Sequence, residues 1–163
     1  MIYLQYMTND EVREVALEFL KKNKVGVLAT ISPEGGPHAS LIYYVCDDSF
    51  NIYFSTLEST RKFDAISHNP RAAFTVATVD IPQTLQIEGD ASEITGEEKI
   101  KDKLSNLIEI LESNNTYYWP ITKMGALRVV LMKLTPTWVR WGNFALQQEE
   151  DVFNSITIAH TAI

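Results

Sequence analysis

The sequence predicts a mainly β protein: six or seven short antiparallel strands closing, or nearly closing, a barrel, with three helices packed outside. Three observations carry this. Short apolar runs rich in β-branched and aromatic residues recur between clusters of turn residues. Two of the helices open on capping boxes, which fixes where strand gives way to helix. Closure into a barrel also removes the edges that such apolar strands would otherwise expose.

Thr8-Asn9-Asp10-Glu11 is the first capping box, and Val12, Val15, Ala16, Phe19 and Leu20 follow at the spacing of one helical face. Lys21, Lys22 and Lys24 suit the negative end of that helix dipole. Residues 25–31 (VGVLATI) and 38–45 (HASLIYYV) flank the turn Ser32-Pro33-Glu34-Gly35-Gly36-Pro37 and read as a hairpin. Asp47-Asp48-Ser49 makes a second turn and residues 50–54 a third strand, so the three predict an antiparallel meander. Residues 72–79 (AAFTVATV) form a fourth strand, ended by Asp80-Ile81-Pro82. Residues 84–94 form a fifth, with Leu85, Ile87 and Gly89 on one face and Gln86, Glu88 and Asp90 on the other. Gly89 predicts a bulge or bend. Thr95-Gly96-Glu97-Glu98 is the second capping box, followed by the stripe Ile100, Leu104, Leu107, Ile108, Leu111. An aromatic connector, residues 116–125, leads to a sixth strand at 126–134, a bend at Thr135-Pro136 and a short seventh at 137–141. The tail from Asn143 carries Glu149-Glu150-Asp151 and a mixed apolar segment of no evident role.

At 163 residues the chain reads as one domain, 1–163. The net charge of −7 disfavours a nucleic-acid binder, which needs cations to neutralise phosphates, and makes a local basic cluster more informative. A lone cysteine, Cys46, excludes an intrachain disulfide and fits a reducing, cytoplasmic compartment. The N-terminus has neither the basic region nor the apolar run of a signal peptide. No apolar run approaches the ~20 residues of a membrane span, so no membrane association is expected. The three histidines and one cysteine have no metal-ligand spacing.

The basic cluster lies in residues 55–71, STLESTRKFDAISHNPR. A short helix is expected from about Ser59, a good N-cap, to just before Asn69-Pro70. Arg61 and Lys62 then occupy its first turn, where the dipole disfavours cations. A helix start with free amides, hydroxyls and two cations can hold an anion such as a phosphate; the same cations could equally be ordinary surface charges.

This order of elements resembles the FMN-binding split β-barrel family, the pyridoxamine 5′-phosphate oxidase-like proteins. The resemblance spans residues 25–141 and rests on three signatures: Ala29-Thr30 to Gly35 and Pro37; Ser55-Thr56, Arg61-Lys62 and Asn69-Pro70-Arg71; and Ile87, Gly89 and Ala91. It implies that Ser55, Thr56, Arg61 and Lys62 bind the FMN phosphate. It implies that the strand holding Ser40, Leu41, Ile42 and Tyr43 lies against the flavin ring, that Gln83 or Thr84 adds a polar contact, and that a late aromatic, Trp141 or secondly Trp138, reaches the ring. It further implies a homodimer with FMN at the interface. Two departures stand out. The named oxidase carries an arginine and a lysine where Ser40 and Val45 stand here, and its C-terminal R-x-H motif has no clear counterpart after Trp141.

Other residues offer less. His38 could move protons near neutral pH or be a polar strand-end residue. His68 suits a helix C-terminus. Cys46 beside Asp47-Asp48 is expected to have a raised pKa and to make a poor nucleophile. Tyr43, Tyr44, Tyr117, Tyr118 and Trp119 suit core or interface better than a substrate box. No catalytic residue is assigned. The resemblance thus implies an FMN-dependent oxidoreductase acting on a small molecule. A flavin carrier, or a relative binding deazaflavin or haem, are the alternatives.

Overall fold

The computed structural model describes residues 7–95, 105, 109, 128–145 and 152–158. In chain order its elements are α1 (Asn9–Lys22), β1 (Val25–Ile31), β2 (Pro37–Tyr43), β3 (Val45–Cys46), β4 (Ile52–Leu57), α2 (Arg61–His68), β5 (Arg71–Thr78), β6 (Gln83–Glu93), β7 (Val129–Asn143) and β8 (Phe153–Ile156). The strands form one antiparallel sheet in the order β2-β1-β5-β6-β7-β4-β3, with β8 on β7. The sheet curls into a split β-barrel flanked by helices, the fold class expected.

The capping box of α1 forms as expected: the Thr8 amide donates to Glu11 Oε2 at 2.7 Å, and the Glu11 amide to Thr8 Oγ1 at 3.3 Å. Val12, Ala16, Phe19 and Leu20 are buried. They join a core with Leu28, Phe54, Phe74, Leu85, Ile87, Met132 and Leu134.

The expected meander is corrected. β1 and β2 pair as a hairpin, but β2 does not continue into β4. The chain breaks at Tyr44, which turns into the core: its hydroxyl donates to the Leu20 carbonyl at 2.8 Å and its ring meets Phe74 edge-on. β4 pairs instead with β3 and with the first half of β7. The turn between β3 and β4 is tied by Asp47, which accepts from the amides of Ser49 and Asn51, the Asn51 side chain and the Tyr53 hydroxyl. Phe50 adopts φ +61° there and is fully buried, so packing holds a conformation that a bulky residue rarely takes.

The expected sixth and seventh strands are one 15-residue strand, β7. Pro136 does not end it. The register against β6 runs Gly89↔Pro136 and then Glu88↔Trp138, so Thr137 is the extra residue of a bulge. Gly89 marks that site, as expected: a β-carbon there would collide with the Thr135 carbonyl. The bulge also resets which side chains face inward. Before it Val130, Met132 and Leu134 are buried; after it Val139 and Trp141 are, and Trp138 and Arg140 turn outward. The tail contributes β8, paired with β7 from Val139 to Gly142, which the sequence did not suggest. The second capping box, most of the helix expected after it, the aromatic connector and Glu149-Glu150-Asp151 lie outside the described residues.

Candidate cofactor site

β4 delivers Thr56 to the start of α2, and the helix begins one residue later than expected. Thr60, not Ser59, is the N-cap, and its Oγ1 accepts from the Phe63 amide at 3.4 Å. Arg61 and Lys62 are the first two helical residues.

Around that cap the hydroxyls form a chain. Lys62 Nζ donates to Thr56 Oγ1 at 3.3 Å. Thr56 Oγ1 lies 2.9 Å from Thr60 Oγ1. Thr60 Oγ1 donates to the Leu57 carbonyl at 2.8 Å. Thr60's proton is committed to that carbonyl, so Thr56 donates to Thr60 and accepts from Lys62. Thr56 is buried and Lys62 half-buried. Burial lowers the Lys62 pKa, because the charged ammonium loses water and gains only a neutral hydroxyl. Among the described residues Lys62 has no ion pair, whereas Lys21 pairs with Asp48 and Arg128 with Glu58 and Glu93. Arg61 is exposed. Its charge, with that of His68, helps hold Glu34 below the usual carboxylate range, after the larger effects of Glu34's own amide and the Ser32 side chain. The arrangement presents a half-buried ammonium, short of countercharge among the described residues, at the positive end of a helix.

The other residues divide by strand parity. Ser55 is half-buried on the face of β4 opposite Thr56, and the hydroxyl beside Thr56 is that of Thr60. In β2 Ile42 is buried, and the Ser40 hydroxyl is buried without a hydrogen-bond partner among the described residues, so only the backbone of these two can meet a ring lying outside. Leu41 is 60% exposed, and Tyr43 is half-buried on the same face. Gln83 and Thr84 alternate at the start of β6, Thr84 opposite Gly142 on the outer face. Trp141 is corrected as a ring contact. It is 1% exposed and packed among core residues, because the bulge has turned it inward. Trp138 is on the outer face, beside Arg140.

His68 folds back on Asp64, its Nδ1 2.8 Å from the Asp64 carbonyl, which suits the helix-end role. The Cys46 pKa is pushed up to about 11 as expected, but burial is the main cause, with Asp47 and Asp48 adding less. Thr60 was not legible as the cap, since Ser59 beside it is a hydroxyl residue of the same capping quality.

Residues 12–141 match the model of the pyridoxamine 5′-phosphate oxidase family, and the chain belongs to that family. No curated protein matches in sequence. Solved structures share the fold. A protein related to general stress protein 26 of Bacillus subtilis (pyridoxinephosphate oxidase family), from Clostridium acetobutylicum, has a TM-score of 0.69 at 14% identity over 93% of this chain and 97% of its own. A FAD-binding protein from Mesorhizobium loti has a TM-score of 0.60 at 17% identity over 78% and 91%. A heme binding protein from Mycobacterium smegmatis has a TM-score of 0.66 at 19% identity over 94% of this chain; the match spans 60% of the smegmatis protein's length. Among the described residues no group of side chains could hold a metal ion, and no helix is long and apolar enough to cross a membrane.

Proposed function

We propose that the chain binds FMN and works as an FMN-dependent oxidoreductase, passing hydride between a reduced donor and a small organic acceptor. The observation that carries this reading is the half-buried Lys62 ammonium, hydrogen-bonded to Thr56 and short of countercharge. A phosphate supplies that charge. Lys62, Arg61, Thr56 and the first amides of α2 would hold it; the backbone of Ser40 and Ile42, the side chains of Leu41 and Tyr43, and Gln83 or Thr84 would meet the ring. A bound flavin supplies the electron-transfer chemistry, while the chain orients it and sets the charge around it. β2 ends the sheet path and leaves Leu41 largely exposed. A second copy packed against that edge would cover it, so the site is read as part of a homodimer, in the cytoplasm. The likeness to a FAD-binding protein supports a flavin; the likeness to a heme binding protein favours haem as the second reading.

The visible spectrum of purified protein, with mass determination of the released cofactor, tests the reading. Flavin bands and the FMN mass support it, and a Soret band selects haem. The double variant Arg61→Ala, Lys62→Ala is expected to bind FMN roughly a hundredfold more weakly, as loss of charge-assisted hydrogen bonds requires. Unchanged affinity would rule the site out. Reduction by a nicotinamide nucleotide with turnover of an acceptor separates an enzyme from a carrier.

A further inference from the structure

An antiparallel sheet with one face in water puts apolar side chains inward and polar ones outward. The outward face of β2, β1 and β5 breaks that rule. Two rows of side chains cross it. Leu41 stands opposite Val27, and Val27 opposite Thr75; two residues along, Ala39 stands opposite Ala29, and Ala29 opposite Ala73. Leu41 is 60% and Val27 39% exposed. Three alanines side by side on three strands leave the face shallow, and two hollows of about 340 and 580 Å³ share Ala29 and Ala73 in their lining. Side chains this small let a second sheet pack closely.

Both rows continue into β6 and β7, and there they carry charge of both signs. The first ends with Gln86 opposite Arg140, the second with Glu88 opposite Trp138. Arg140 Nε and Nη2 both donate to Gln86 Oε1, at 3.1 and 2.7 Å, and its guanidinium lies over the rings of Phe153 and Trp138. These contacts fix the fork and leave three of its five N–H donors unspent among the described residues. Glu88 is exposed and makes no ion pair among those residues, with Arg140 or with any other cation. An isologous contact sets a patch against a second copy of itself, so that residue i meets j and j meets i. A patch with one unpaired carboxylate and one part-used guanidinium is complementary to itself. Two such patches face to face make two ion pairs, and their apolar rows cover each other.

We propose that this outward face, from β2 to β7, is the seam of the homodimer, with Glu88 of each copy paired to the other copy's Arg140 beside a floor of alanines. The seam is continuous with Leu41, whose exposure on β2 led to the homodimer under Proposed function. The inference rests on the homodimer part of that reading, and names its surface and its charge pair. Gln86, Trp138 and Phe153 are the residues that position Arg140.

Sedimentation equilibrium of the full-length protein and three variants tests this. The parent is expected to be a dimer. Glu88→Arg and Arg140→Glu should each raise the dimer dissociation constant roughly a hundredfold or more, because each sets like charges together twice across the seam. Mixed in equal amounts, these two variants should dimerise again, since each supplies the charge that the other lacks. A pair within one chain cannot be repaired by mixing. The third variant is Ala73→Arg. Ala73 is exposed in the single chain, so the circular dichroism spectrum should not change, whereas a covered floor has no room for the arginine and the dimer should weaken by a similar factor. A dimer that survives Glu88→Arg and Ala73→Arg overturns the proposal and leaves the homodimer standing on another surface. Failure of the two folded charge variants to associate on mixing overturns the proposed pair. A parent that sediments as a single copy overturns the homodimer reading and this seam together.

Discussion

At the scale of single residues, two charged groups are held off their ordinary titration by opposite means. Lys62 has a lowered pKa because burial disfavours its charge. The sign follows. Between that lowered value and the unfolded lysine value the unfolded chain holds more protons, so the ligand-free fold gains stability as pH rises through this window. Phosphate binding needs the charged form, so FMN affinity should fall with rising pH earlier than for an exposed lysine. The expected result for Lys62→Met is a ligand-free protein at least as stable to heat as the parent, FMN affinity lost, and the alkaline fall removed. An affinity that ignores pH up to the ordinary lysine range would contradict this. Asp47 behaves the other way. Burial raises its carboxyl, but hydrogen bonds from Asn51, Tyr53 and Ser49 outweigh that and the net pKa is lowered. Its contribution is therefore full above the unfolded aspartate pKa and is lost as pH falls through the lowered folded one. Asp47→Asn should cost about 1–2 kcal/mol near neutral pH, read by urea unfolding, and the cost should shrink in acid.

At the scale of elements, the β6–β7 pair makes the sharpest claim. Gly89 is needed because the Thr135 carbonyl occupies the place of its β-carbon, and Pro136 and Thr137 form the bulge opposite. Gly89→Ala must push two backbones apart. It should cost about 1–3 kcal/mol, with an unchanged denaturant slope. Gly36→Ala is the control: its β-carbon would sit an ordinary 3.4 Å from Ser32 Oγ, so a change within about 0.5 kcal/mol is expected. The need for a glycine at 89 was legible, because an isolated glycine in an alternating strand has few other uses. Its consequence was not. The bulge inverts parity for everything after Thr137, and parity cannot be carried across a bulge whose extra residue is unknown. Trp141 was carried over from the resemblance as a ring contact, without regard to parity, and the bulge turns it into the core. The start of α2 erred by one residue for a smaller reason: Ser59 and Thr60 cap equally well by type, and only backbone geometry chooses.

At the scale of the whole molecule, local pairings were readable and distant ones were not. Turn residues specify the β1–β2 hairpin, but nothing in residues 50–57 announces that β4 pairs with a strand some 75 residues later, nor that the tail returns as β8. The site inherits this. Thr56 and Lys62, which the structure joins by a hydrogen bond, come from contiguous sequence and were legible, whereas the contacts of Arg140 with Gln86 and Phe153 need β6, β7 and β8 together. The same architecture bears on what the protein leaves alone. Belonging to the pyridoxamine 5′-phosphate oxidase family does not supply the grip for that substrate. Of the two positions where the named oxidase carries cations, Ser40 turns its hydroxyl into the barrel and Val45 is an apolar residue of the two-residue β3. A substrate phosphate placed over β2 would therefore meet Leu41 and Tyr43 rather than a positive charge, and its desolvation would go uncompensated. Flavin-loaded protein should accordingly form no pyridoxal 5′-phosphate above background in a steady-state assay with pyridoxamine 5′-phosphate and oxygen. Efficient turnover would show that a cation outside β2 takes over the role, and the reading of Ser40 and Val45 would have to be abandoned.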